Sequence, residues 1–172
     1  MGYSRSTALT VLSVVTGAVL SLLLEVPGRA LADDGPATPA APPNALTFVK
    51  DRHLGESLGW LGYQVASRTV TFTNIVDAVG RTKAQEIVQD ELQYLQPQYQ
   101  QEWDVNLAAA YAASFTPDEL TALDAGDPPP DVASKFRSKQ RDVGLDMKNR
   151  SSELLKVYVS TALDNALKKA KP

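Results

Sequence analysis

The sequence predicts an all-α bundle of four to five helices with a long C-terminal helix, preceded by a signal peptide and a flexible Pro/Ala-rich tether. Three observations carry that prediction. Apolar residues recur three or four apart from Leu54 to Leu167. Helix start and stop residues punctuate the pattern, above all Thr116-Pro117-Asp118-Glu119 and Asp127-Pro128-Pro129-Pro130. No convincing strand pair is present.

The first element is the N-terminal segment. One positive charge, Arg5, precedes an unbroken run of apolar and small residues from Ala8 to Leu24. Glu25, Pro27, Gly28 and Arg29 end that run, and Ala30-Leu31-Ala32 stands before Asp33. A positive start, an apolar core and an A-x-A ending are the three parts of a secretory signal. The competing reading is an uncleaved membrane anchor. The run of 17 residues falls short of the ~20 that span a bilayer, so cleavage before Asp33 is expected. The chain has no cysteine for lipid attachment, and no twin-arginine pair, which favours the general secretion route. Residues 1–32 are therefore read as signal peptide and residues 33–43, DDGPATPAAPP, as a linker with no large side chain to bury. Residues 44–172 are read as a single helical domain, of a size that supports one core.

Within that domain, Leu54, Leu58, Leu61, Val65, Phe72, Ile75, Val76 and Val79 suggest one helix. The β-branched cluster Thr69-Val70-Thr71 hints at a strand, but the helical spacing survives across it, and Gly80 is a plausible stop. Thr82 and Gln85 form a candidate capping box. The following helix runs through Ile87, Val88, Leu92 and Leu95, and Pro97 is expected to interrupt or kink it. A further segment, about 98–114, places Trp103, Leu107, Ala110 and Tyr111 on related faces, with an alanine run suited to close helix approach. Thr116 is expected to cap a short helix in a capping box with Glu119, with Pro117 in the first turn. Pro128-Pro129-Pro130 is a break. Asp131 then caps the last helix, whose stripe is Val132, Phe136, Val143, Met147, Leu154, Leu155, Tyr158, Leu163 and Leu167. Gly144 is a weak point within it.

The formal charge of the 172 residues is −3, and losing Arg5, Glu25 and Arg29 makes the mature chain one unit more negative. Mild acidity argues against a nucleic-acid partner. The missing cysteines remove disulfides and thiolate chemistry. His53 is the only histidine, so histidine-based metal or triad chemistry lacks convergent partners. Carboxylates at Glu86, Asp90, Glu91, Glu102, Asp104, Asp118 and Glu119 read as solvated faces or caps. Trp60 and Trp103 could line a sugar site, but each sits on an apolar stripe, where core packing is the default. Gly55, Gly59 and Gly62 lie within helical periodicity. They are read as a close-packing face, with a ligand groove beside them as the sharper alternative.

The stretch from Trp103 to Leu120, with Tyr111, Phe115, Thr116, Glu119 and Leu120 at its centre, resembles domain of unknown function 2059, a family of uncharacterised exported bacterial helical proteins. Where that family continues into an aromatic pair and a Ser-Pro-x-Gly turn, this chain has Leu123-Asp-Ala-Gly-Asp-Pro-Pro-Pro130. The resemblance implies an exported helical protein and carries over no catalytic residues. The sequence thus points to a non-catalytic protein of the periplasm or exterior that binds a protein partner or an apolar ligand. No catalytic, cofactor or metal residues are assigned, and no cofactor. The alternatives are a carboxylate-based hydrolase of the cell envelope and a self-associating module. The last is suggested by the seven-residue recurrence of Leu58, Val65, Phe72 and Val79.

Overall fold

The computed structural model describes residues 41–171. The expected signal peptide, and all of the expected linker but its last three residues, lie outside the described residues. The described residues form an all-α bundle: α1 (Pro43–Asp51), a 3₁₀ turn (Leu54–Ser57), α2 (Leu58–Ala66), α3 (Val70–Val79), α4 (Arg81–Ser114), α5 (Pro117–Ala125) and α6 (Pro130–Ala170). None of these helices is long and apolar enough to cross a membrane.

Helix α1 starts with Pro43 at its first position, where the missing amide donor costs nothing. It buries Ala45, Phe48 and Val49, and Asn44 ties it to α5 by donating to the Pro117 carbonyl at 3.0 Å. Its nine residues were not recognised in the sequence, because the proline-rich linker was read up to Pro43.

The single first helix expected from Leu54 to Val79 is three elements. Thr69 divides α2 from α3: its Oγ1 accepts from the Phe72 amide at 3.2 Å and donates to the Ala66 carbonyl at 2.8 Å. One hydroxyl therefore closes one helix and caps the next. The apolar stripe survives this break because both helices lie on the same core. Leu58 and Phe72 are buried within the fold, while Val65 is exposed. The heptad recurrence is thus split between two helices and partly consumed by the intramolecular core.

Helix α4 continues for 34 residues past Pro97, so of the expected interruption or kink the interruption does not occur. Proline removes the hydrogen bond to the Gln93 carbonyl, and both Pro97 and Gln93 are exposed, so water can take the vacancy. The Thr82–Gln85 capping box does not form. The helix begins at Arg81 behind Gly80, whose φ of 83° suits a residue without a side chain. By contrast, the capping box of α5 is present: the Glu119 amide donates to Thr116 Oγ1 at 3.3 Å, and the Thr116 amide donates to Glu119 Oε2 at 2.8 Å. Lys135 of α6 reaches back to the same carboxylate at 2.7 Å. That ammonium, then the Thr116 amide, holds the Glu119 carboxyl below its ordinary range. Gly126, at φ 86°, ends α5. Helix α6 is capped by Pro129 rather than Asp131, which instead sits in the first turn beside the positive end of the helix dipole.

Helices α4 and α6 form the principal pair and run antiparallel. The early end of α4 meets the late end of α6, where Lys169 pairs with the buried Glu91. Helix α2 lies across both. Its glycine face is covered, as the close-packing reading expects. A methyl at Gly62 would sit 2.7 Å from Tyr158 Cε1 and 3.1 Å from Leu92 Cδ2. At Gly55 it would collide with the Asp104 carboxylate. Tyr158 is fully buried and donates its hydroxyl to the Leu92 carbonyl at 2.7 Å.

Two predictions follow from this junction. Gly62 and Gly144 are both helical glycines, yet a Cβ at Gly144 meets nothing within 4 Å. Gly144→Ala should raise stability by roughly 0.5–1 kcal/mol through helix propensity, whereas Gly62→Ala should lower it despite the same propensity gain. Denaturant titration of the two variants reads the opposite signs. The second concerns Tyr158, whose phenol burial pushes up to about 12 from 10.0. The folded state then holds its proton more tightly than the unfolded chain. Its contribution is whole below pH 10 and is lost as pH rises toward 12. Between about pH 9 and about pH 11.5 the wild type should lose on the order of 2 kcal/mol more than Tyr158→Phe.

Candidate functional site

Three helical stripes converge on one cavity of about 630 Å³. The 3₁₀ turn and α2 supply Leu54, Ser57, Leu61 and Val65; α4 supplies Trp103, Leu107 and Tyr111, one per turn. From α6 come Gln140, Val143, Gly144, Met147, Lys148, Ser151, Ser152, Leu155 and Lys156, which alternate steps of three and one and so share one face. The small residues of this face are Gly144, Ser151 and Ser152, and Ser57 is the small residue of the 3₁₀ turn in the lining.

Aromatic contacts flank the cavity. Around Tyr111, that ring stacks on Phe136 with centroids 6.2 Å apart, Phe48 packs edge-on to Tyr111 at 5.2 Å, and Phe115 lies 5.9 Å from Phe136. Beyond Leu155 on α6, the Tyr158 ring lies 5.2 Å from Tyr99.

The wall is apolar with few polar atoms. Trp103 is 4% exposed, and its buried Nε1–H has no hydrogen-bond partner among the described residues. Burial raises the pKa of the Tyr111 phenol, with the Gln140 side chain opposing. The Ser151 hydroxyl donates to Met147 Sδ at 3.4 Å. Lys148 and Lys156, both exposed, stand at the lip. No Asp, Glu or His lines the cavity; its polar groups are the Ser57, Ser151 and Ser152 hydroxyls, the Tyr111 phenol, the Gln140 amide and the Lys148 and Lys156 ammoniums. A second hollow, of about 580 Å³ beyond Leu54, is lined by Asp51, Arg52 and Arg137 as well as Phe48 and Phe136. It sets charged side chains of both signs among apolar ones.

The structure distributes the residues singled out in the sequence as follows. His53 adopts a left-handed backbone (φ 54°) between α1 and the 3₁₀ turn, exposed, with Nδ1 2.8 Å from Glu56 Oε1. Glu86, Asp90, Glu102 and Asp104 all ride on α4; the first three are exposed, and Asp104 accepts from Gln100 at 2.8 Å. They form no facing pair across a cleft, which the hydrolase alternative needs. Among the described residues no cluster of three or more His, Asp or Glu is placed to hold a metal. Trp103 packs as expected, but Trp60 is 66% exposed, correcting its core assignment. Helix α2 is apolar on almost every side, so spacing alone cannot tell which residues it buries. The groove lies beside the glycine face, not on it.

The two tryptophans give a direct check. Trp60→Phe should leave a blue-shifted emission shielded from acrylamide, and Trp103→Phe a red-shifted, readily quenched one. Equal quenching in both variants would refute the placement of the cavity wall. Comparison of the chain with protein families, with curated proteins and with solved structures returns no match.

Proposed function

We propose that this chain is an exported, non-catalytic helical protein that holds an apolar small molecule in the cavity between α2, α4 and α6. The observation that carries the reading is the cavity itself. Its volume lies within the ~300–1,000 Å³ of small-molecule sites, and its wall is apolar with a few convergent polar groups. A concave apolar pocket suits a small molecule better than a flat protein surface. The periplasmic or secreted setting rests on the N-terminal signal pattern, and the resemblance to domain of unknown function 2059 agrees with it.

A neutral apolar dye, N-phenyl-1-naphthylamine, tests the reading on the Trp60→Phe protein. The dye should brighten on binding and quench Trp103 in a saturable one-to-one titration. Gly144→Leu places a side chain in the cavity from a position with room for it, and should weaken dye binding at least tenfold while leaving helicity and stability intact. Dye binding that Gly144→Leu does not change would sink the proposal.

A further inference from the structure

The cavity's lip carries a chemical preference that its wall does not. Lys148, Ser152 and Lys156 follow one another at intervals of four on α6, one per turn along the same edge. Their backbone positions span about 12 Å of the helix axis, within which two lysine side chains can turn toward one another across the Ser152 hydroxyl. Lys148 takes part in no ion pair among the described residues. Lys156 touches Glu153 at 3.3 Å, but both side chains are about three-quarters exposed, so that pair is weak and easily exchanged. The cavity is bare of carboxylates although the chain as a whole is acidic. An apolar trough whose lip carries two ammonium groups against the single Glu153 carboxylate keeps a net positive edge, complementary to a molecule with an apolar body and an anionic end.

We propose, building on the ligand-binding reading above, that the occupant is a free long-chain carboxylate. Its chain lies against Leu61, Trp103 and Met147, and its headgroup rests on the Lys148–Ser152–Lys156 ledge. The apolar wall supplies most of the affinity through area removed from water. The ledge supplies selectivity, because each exposed ion pair adds little and two together add about tenfold.

The experiment compares laurate with dodecanol, equal in chain length and different in charge, as competitors for the bound naphthylamine dye. Wild-type protein should release dye at roughly tenfold lower laurate than dodecanol, and that preference should shrink at high salt. Lys148→Gln/Lys156→Gln replaces two exposed side chains, so the fold is retained. It should bind dodecanol as the wild type does and lose the preference for laurate. Equal competition by laurate and dodecanol on the wild type, or an unchanged preference in the double variant, overturns the headgroup assignment and leaves apolar binding standing. If the dye never binds, the cavity reading itself fails. Co-sedimentation with anionic phospholipid vesicles, with no competition by free laurate, would mean that the lysines face a membrane surface, and would also overturn the assignment.

Discussion

The arrangement of this bundle depends on one contact, the Tyr158 hydroxyl bonded to the Leu92 carbonyl across the face of Gly62. It joins three helices at a point. The phenol of α6 is anchored in the backbone of α4, and α2 comes close enough to touch both only because position 62 has no side chain. Burial of the ring removes a large apolar area from water, and the hydrogen bond satisfies the one polar atom that burial would otherwise strand. Moving any of the three partners would open the junction.

The aromatic cluster of Phe48, Tyr111, Phe115 and Phe136 joins α1, α4 and α6 toward the other end of the α4–α6 pair with rings rather than with a glycine. Helix α5 is fastened beneath that cluster by its capping box and by Lys135, which bonds Glu119 and lies 5.2 Å over the Phe115 ring. The cavity lies between these two contacts along α4 and α6, and Gly144, Ser151, Ser152 and Ser57 are the small residues of its lining.

Much of this was legible in the sequence, and the failures share a cause. The capping box at Thr116 and the long stripe of α6 are local patterns with few alternatives, and each forms as read. Pro97 was read as an interruption or a kink because its missing donor is certain, whereas the rescue of the Gln93 carbonyl by solvent depends on which side of α4 faces out. The division at Thr69 was hidden because the next helix continues the same apolar stripe. Trp60 was assigned to the core because an apolar helix of nine residues offers no polar face to orient it. In every case the missing information was the position of a second element, which one strand of sequence does not contain.

The cavity obeys the same logic and adds one step. Val143, Met147, Trp103, Leu107 and Tyr111 were read as buried stripe residues, and they do face inward. A stripe specifies a direction, not a fill. What distinguishes a packed seam from a binding site is the volume between facing stripes, and here the lining includes three small residues on α6 and one in the 3₁₀ turn. Packing alone would favour larger apolar groups there, since unfilled space forfeits dispersion contacts. The cationic residues fall on the same face at the same helical interval as the small ones, so the space and its charged lip are one pattern. A sequence search for undersized positions within an otherwise apolar helical stripe, flanked by like charges one or two turns away, would have found this site before the fold was known.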